Sequence, residues 1–191
     1  MREVLFILFL IYAQSLYSQK SNDSTQLIFG TIGAGAFDAE NSTGIAGQIS
    51  LDFQKKHNQW KIRYIGGSEF NLFGPSPPES FNDIGVLYGR VANYKNIQFS
   101  ISGGLGIVTG IMRGAYITTP PGWFSSPEYE KRSYFTYGIP LEAEFSYNPL
   151  KFLGLGVAVF ANINPESSLW GINIMWKVGK VRPDRKLIKQ F

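Results

Sequence analysis

The run from Trp170 to Gly179, WGINIMWKVG, alternates without a break. Trp170, Ile172, Ile174, Trp176 and Val178 fall on one face; Gly171, Asn173, Met175, Lys177 and Gly179 fall on the other. Period-two alternation makes a strand with one oily side. A soluble barrel buries such a face in its interior. A membrane barrel turns it out to lipid and ends it in aromatic girdles.

Seven further strand candidates precede it, at about 26–37, 43–54, 59–70, 83–94, 96–111, 133–147 and 151–162. Most reach the length a tilted strand needs to cross a bilayer. The links alternate in length. Those after strands two, four and six are short: KKHN (55–58), YKN (94–96) and YNPL (147–150). Those after strands three and five are long, at 71–82 and 112–132, and AENS (39–42) and NPES (164–167) are intermediate. In an up-and-down barrel, links of one parity share a rim. Tight turns on one rim and longer loops on the other is the asymmetry of outer-membrane barrels. The expected fold is all-β: an eight-stranded antiparallel up-and-down transmembrane β-barrel over residues 26–179.

The apolar faces repeat. In strand seven Leu153, Leu155, Val157 and Val159 alternate with Gly154, Gly156, Ala158 and Phe160; in strand two Ile45, Ile49, Leu51 and Phe53 alternate with Ala46, Gln48, Ser50, Asp52 and Gln54. Strands one and four are less clean. The polar faces carry Asp52, Lys61, Arg63, Glu142, Glu144 and Lys177. A Lys or Arg facing lipid at the midplane costs about 2–4 kcal/mol. In a soluble barrel those faces would be wet, and the bulky apolar faces would have to fill an interior only just wide enough for side chains. A Gly, Ser and Ala face fits that interior, so the apolar face is expected outside. Arg90 falls on the outer face near the short-turn rim, where it can snorkel.

The inward charges have both signs. Lys61, Arg63 and Lys177 are expected to pair with Asp52, Glu142 and Glu144 as a network filling the lumen; a gate or proton path is the functional alternative. His57, the sole histidine, lies in a short turn, opposite the rim where a lipid-modifying barrel enzyme would need it. No nucleophile motif, phosphate-cradling loop or metal cluster emerges, and no cofactor or metal is expected. The long loops carry Phe73, Tyr116, Trp123, Phe124 and Tyr129 beside prolines. These either form a rigid recognition surface or pack on the barrel rim. Trp60, Tyr64, Tyr147, Trp170 and Trp176, at strand ends, read as interfacial girdle.

The apolar run Val4–Tyr12 follows Arg2 and precedes the small residues Ala13, Ser15 and Ser18. This is a secretory signal pattern over 1–18, followed by a polar leader, 19–25. Cysteine is absent, so disulfides, thiolate metal sites and a lipidated Cys are excluded. Segment 180–191 carries Lys180, Arg182, Arg185, Lys186 and Lys189 against Asp184, which equals the whole formal charge of +4. The high pI thus marks a basic periplasmic tail, not a nucleic-acid partner.

With DIGVLYGR (83–90) and FSISGGLGIVTG (99–110), and a leader ending YSQK, the chain resembles small eight-stranded outer-membrane barrels of Gram-negative bacteria, in particular those common in Bacteroidota. The resemblance implies insertion by the barrel assembly machinery, contact with outer-membrane lipid and lipopolysaccharide, and no particular activity. Such barrels usually end at the last strand with an aromatic residue. Here Trp176 closes the strand or the tail, ending in Phe191, takes that part. The tail is a candidate contact for anionic inner-leaflet lipid, peptidoglycan or a protein partner subunit.

The expected function is non-enzymatic, with a structural or partner-binding role through loops 71–82 and 112–132. The alternatives are a soluble periplasmic barrel holding a small apolar ligand and a lipid-modifying enzyme. Fractionation separates the first two: the membrane barrel is extracted only by detergent and shows heat-modifiable gel mobility, whereas release by osmotic shock would identify the soluble form.

Overall fold

A computed structural model describes residues 26–40, 42–70, 74–119 and 126–182. The expected signal sequence and polar leader, Phe73, Trp123, Phe124 and most of the expected tail lie outside the described residues. The eight strands are β1 (Gln26–Ala39), β2 (Ser42–Lys55), β3 (Asn58–Glu69), β4 (Ser80–Tyr94), β5 (Ile97–Thr118), β6 (Glu128–Tyr147), β7 (Leu153–Ile163) and β8 (Leu169–Gly179). Each pairs antiparallel with its sequence neighbour, and β8 pairs with β1 from Ala39↔Leu169 to Phe29↔Gly179. The sheet is therefore a closed up-and-down barrel without an open edge.

The alternation seen in sequence becomes inside and outside. Lys61 is 1% exposed, whereas Leu105 is 77% exposed. Ile32, Ile49, Ile62, Ile84, Leu105, Ile139, Val159 and Ile174, one from each strand, all face outward and are exposed. Trp60, Tyr147 and Trp176 lie outward near the short-turn rim; Tyr64 and Trp170 lie outward toward the long-loop rim. Trp170 and Trp176 are six residues apart on β8, about 20 Å at strand rise. That approaches the height of the apolar band of a membrane barrel, about 25 Å.

Two turns on the short rim are two-residue connections, with Lys56 (φ 57°) and Lys95 (φ 54°) in the left-handed region. Hairpins this tight require positive φ. On the other rim β5 and β6 run on together past the barrel, pairing as far as Thr118↔Glu128 with irregular register between Arg113 and Thr118. This corrects the reading of 112–132 as one loop. Residues 112–118 and 128–132 are a projecting hairpin, and only its tip connects them. The cue was faint because Met112–Tyr116 breaks the alternation and includes Gly114 and Arg113.

The interior is also less uniformly small and polar than expected. Phe37, Ala46, Ile65, Phe81, Val108, Phe160 and Leu169 cluster inside the long-loop half. Leu27 and Phe29 pack with Val181 at the short-turn end. Val181 comes from the start of the basic tail. Its N–H donates to the Lys151 carbonyl (2.9 Å), and the Lys180 N–H donates to the Ile28 carbonyl (2.8 Å). The tail thus begins by folding under the barrel mouth and adding an apolar side chain to its floor.

Glycine permits close approach at two inward positions. A Cβ on Gly35 would meet the Ile172 carbonyl oxygen, and one on Gly104 would meet that of Val86. These are backbone atoms that have no rotamer to yield. At outward Gly47 the nearest atom is the Gly33 oxygen at 4.0 Å. Gly35→Ala is expected to lower stability by about 1–3 kcal/mol, the usual cost of overpacking. Gly47→Ala is expected to change it by less than about 0.5 kcal/mol, as for open surface positions. Urea unfolding of the refolded barrel checks both.

Candidate functional site

Every inward charge expected from the sequence is in the lumen, and the barrel brings them together between the two apolar clusters. Arg63, Asp52 and Lys177 are fully buried; Lys61, Glu142 and Glu144 are at most 3% exposed. Lys61, on β3, reaches across to Glu142 and Glu144, on β6. Its Nζ lies 3.0 Å from Glu144 Oε2 and forms a shorter bond with Glu142 Oε1. Arg63 Nη1 lies 3.0 Å from Glu142 Oε2. Lys177, on β8, pairs with Glu144 Oε1 and donates to Gln98 Oε1 at 2.6 Å. Its ammonium also sits 4.9 Å from the Phe29 ring centroid.

One member was not expected. Asp83, on β4, accepts from Arg63 Nη2 at 2.7 Å. Its strand gave a muddled pattern because Leu87 and Val91 also face inward. Strict parity would have found it: Asp83 shares a face with Gly85, and Ile84 and Val86 point away. The column then reads Lys177, Glu144, Lys61, Glu142, Arg63, Asp83, with alternating sign throughout. Asp52 stands beside it, 3.4 Å from Lys61 Nζ. Three neutral groups donate to its carboxylate: Thr31 (3.1 Å), Ser50 (2.8 Å) and Gln59 (2.5 Å). Gln48 donates to Glu142 at 3.0 Å and accepts from Asn173 at 2.8 Å.

Buried charges persist only when paired and hydrogen-bonded. Each charge of this network has a partner of opposite sign, through struts that cross the lumen, while Arg63 Nε and Asp83 Oδ1 are left without a hydrogen bond. The aligned bonds occupy the space through which a solute would pass, and apolar side chains close it above and below.

The long-loop rim carries the second candidate site. Arg113 on the projecting hairpin holds Glu69 through two guanidinium nitrogens, at 2.7 and 3.3 Å. Its Nε lies 3.6 Å from Glu79 Oε1, and its backbone N–H donates to the same carboxylate at 3.1 Å. Ser76 binds the hairpin by backbone: its N–H donates to Pro127 O at 2.9 Å, and Tyr129 N–H donates to Ser76 O at 2.8 Å. The two long connections are thus joined into one surface. On it Tyr116 and Tyr129 meet edge to face, with centroids 5.7 Å apart, and Tyr116 is 58% exposed. Of the five loop aromatics singled out, these two are described, and both lie on strands.

Charge divides between the rims. Among the described residues the short-turn rim holds Lys55, Lys56, Arg90, Lys95, Lys151, Lys180 and Arg182 and no carboxylate. The long-loop rim holds Asp38, Glu40, Glu69, Glu79, Glu128, Glu130 and Glu166 against Arg113, Lys131 and Arg132. His57 is on the short-turn rim, its Nδ1 3.3 Å from the Val91 carbonyl oxygen.

No family model matches the chain. No curated protein matches it. Solved structures do match. Neisserial surface protein A is similar with a TM-score of 0.59 and 9% identity, over 81% of this chain and 96% of that one. Ail, the attachment invasion locus protein of Yersinia pestis, is similar at 0.51 and 9%, over 82% and 99%. Ail in complex with the heparin analogue sucrose octasulfate gives 0.52 and 8%, over 81% and 96%. At these identities the likeness concerns the fold, that of small eight-stranded outer-membrane barrels.

Lys61→Met is expected to cost about 3–5 kcal/mol, because it strands buried carboxylates. Adding Glu144→Gln should recover part of that loss, giving a coupling of about 0.5–3 kcal/mol. A double-mutant cycle on urea midpoints measures it, and strict additivity would mean that the pair acts independently.

Proposed function

We propose that this chain is an integral outer-membrane barrel, exported by its N-terminal signal sequence, that carries out no chemistry and binds a macromolecular partner at its long-loop rim. The observation that carries the reading is the joining of the two long connections into one ordered surface over a filled lumen. A binding surface gains affinity when it is ordered before the partner arrives. Arg113 and the Ser76 backbone bonds supply that order. The filled lumen argues against solute transport.

Two features support membrane insertion. All eight strands expose aliphatic side chains at mid-height, and outward aromatic residues lie toward both rims, Trp60, Tyr88 and Trp176 at one and Tyr64, Tyr137 and Trp170 at the other. In water this surface would be a continuous apolar belt, far beyond the patches that soluble monomers tolerate. A soluble ligand-binding barrel would also need interior space that the ion network takes up. A Bacteroidota origin rests on the runs at 83–90 and 99–110 and on the leader.

A photo-crosslinking amino acid at Tyr116 tests the reading on intact cells. A discrete adduct from Tyr116, missing when the same probe sits at lipid-facing Ile139 and lost after Arg113→Ala, is the expected outcome. Diffuse labelling equal at both positions would sink the partner-binding role. In planar bilayers the purified barrel should show no ion current above background.

A further inference from the structure

Arg90 is the outward-facing charge of β4, and the outward residues next above it on that strand are Tyr88, Val86 and Ile84, with Asn82 toward the far rim. The register shows what surrounds it. Lys55, Asn58 and Arg90 lie side by side on β2, β3 and β4, and Arg90 Nη1 donates to Asn58 Oδ1 at 2.6 Å. One pleat higher, Phe53, Trp60 and Tyr88 form the next outward row, with the Trp60 and Tyr88 rings 4.9 Å apart. The row above that is Leu51, Ile62 and Val86. Each step is about 7 Å along the strands, and Lys55 and Arg90 stand about 10 Å apart across them. Lys56 projects from the adjoining turn. The lining of a cleft of about 590 Å³ includes Phe53, Lys55, Lys56, Asn58, Trp60 and Tyr88, and Arg90 stands outside that lining, paired with Asn58.

We propose that this face binds an anionic glycerophospholipid of the leaflet at the short-turn rim, with the phosphate between Lys55, Lys56 and Arg90 and the acyl chains rising past Trp60 and Tyr88. The order of the rows is the order of such a lipid: charge, then interface, then hydrocarbon. Aromatic rings with one apolar and one polar end settle at that middle level. A phosphate binds a guanidinium through paired, charge-assisted hydrogen bonds. An anionic headgroup is favoured over a zwitterionic one because a headgroup ammonium would meet three cations and, among the described residues of this rim, no carboxylate. A soluble periplasmic polyanion would use the lysines but leave the aromatic row and the apolar row unengaged. This inference rests on the membrane-spanning reading above.

The test uses the full-length mature barrel in phosphatidylcholine vesicles, with Trp123, Trp170 and Trp176 replaced by Phe so that Trp60 alone reports. Trp60 quenching by brominated phosphatidylglycerol is compared with that by brominated phosphatidylcholine. The expected preference is about fivefold or more, since each cation near a membrane surface is worth about that factor. It should fall close to unity in Lys55→Gln/Lys56→Asn/Arg90→Gln, where Asn suits the positive φ of position 56, and should survive millimolar inorganic phosphate. Equal quenching by the two lipids in an inserted barrel overturns the proposal alone. So does loss of preference to inorganic phosphate, or binding to peptidoglycan that depends on the three cations while lipid preference is absent. Failure to gain heat-modifiable mobility in these vesicles overturns the membrane reading and this one together. If the triple variant fails to insert, Arg90→Gln by itself is compared, and an unchanged preference overturns the proposal.

Discussion

An eight-stranded barrel encloses a lumen just wide enough for the side chains of its own wall. Everything else in this protein follows from that narrowness. Inward side chains cannot avoid one another, so charges on opposite strands meet within hydrogen-bond distance. Lys61 on β3 and Glu142 and Glu144 on β6 stand three strands apart around the ring and still touch. The lumen is both filled and braced by the same bonds. Breaking one partner leaves the others buried without compensation, which makes the set interdependent.

The interior is layered along the axis. An apolar cluster lies toward the long-loop rim, the charge column occupies the middle, and Leu27, Phe29 and Val181 close the short-turn end. The apolar ends keep water from the charges and so strengthen their attraction. The outside is layered too, with aliphatic residues between aromatic rows. The two rims differ in kind. One is basic and tightly turned, while the other is largely acidic and carries the projecting β5–β6 hairpin. That polarity fits a chain whose two ends face different surroundings.

The strand count, the rim asymmetry and six of the seven lumen charges, Asp52 included, were legible because period-two alternation is a local property. Asp83 was missed where Leu87 and Val91 share its inward face and blur the contrast between the two sides of β4. The hairpin beyond Ile111 was missed because a ribbon standing clear of the barrel has no buried face to impose alternation. Val181 was missed because a single valine in a basic stretch gives no periodic signal. Its burial depends on the chain turning back under the mouth.

The sequence alone determined that this chain forms strands with one oily and one polar side, and that the polar side faces inward. Alternation sets the first, and the narrow interior sets the second. Only the tertiary structure decided which charges meet, because pairing across the lumen depends on the register of eight strands and on ring closure, not on spacing along the chain. The same holds for the outward row of Lys55, Asn58 and Arg90. Arg90 is separated from the other two by more than thirty positions, and only the ladder of backbone bonds sets them side by side.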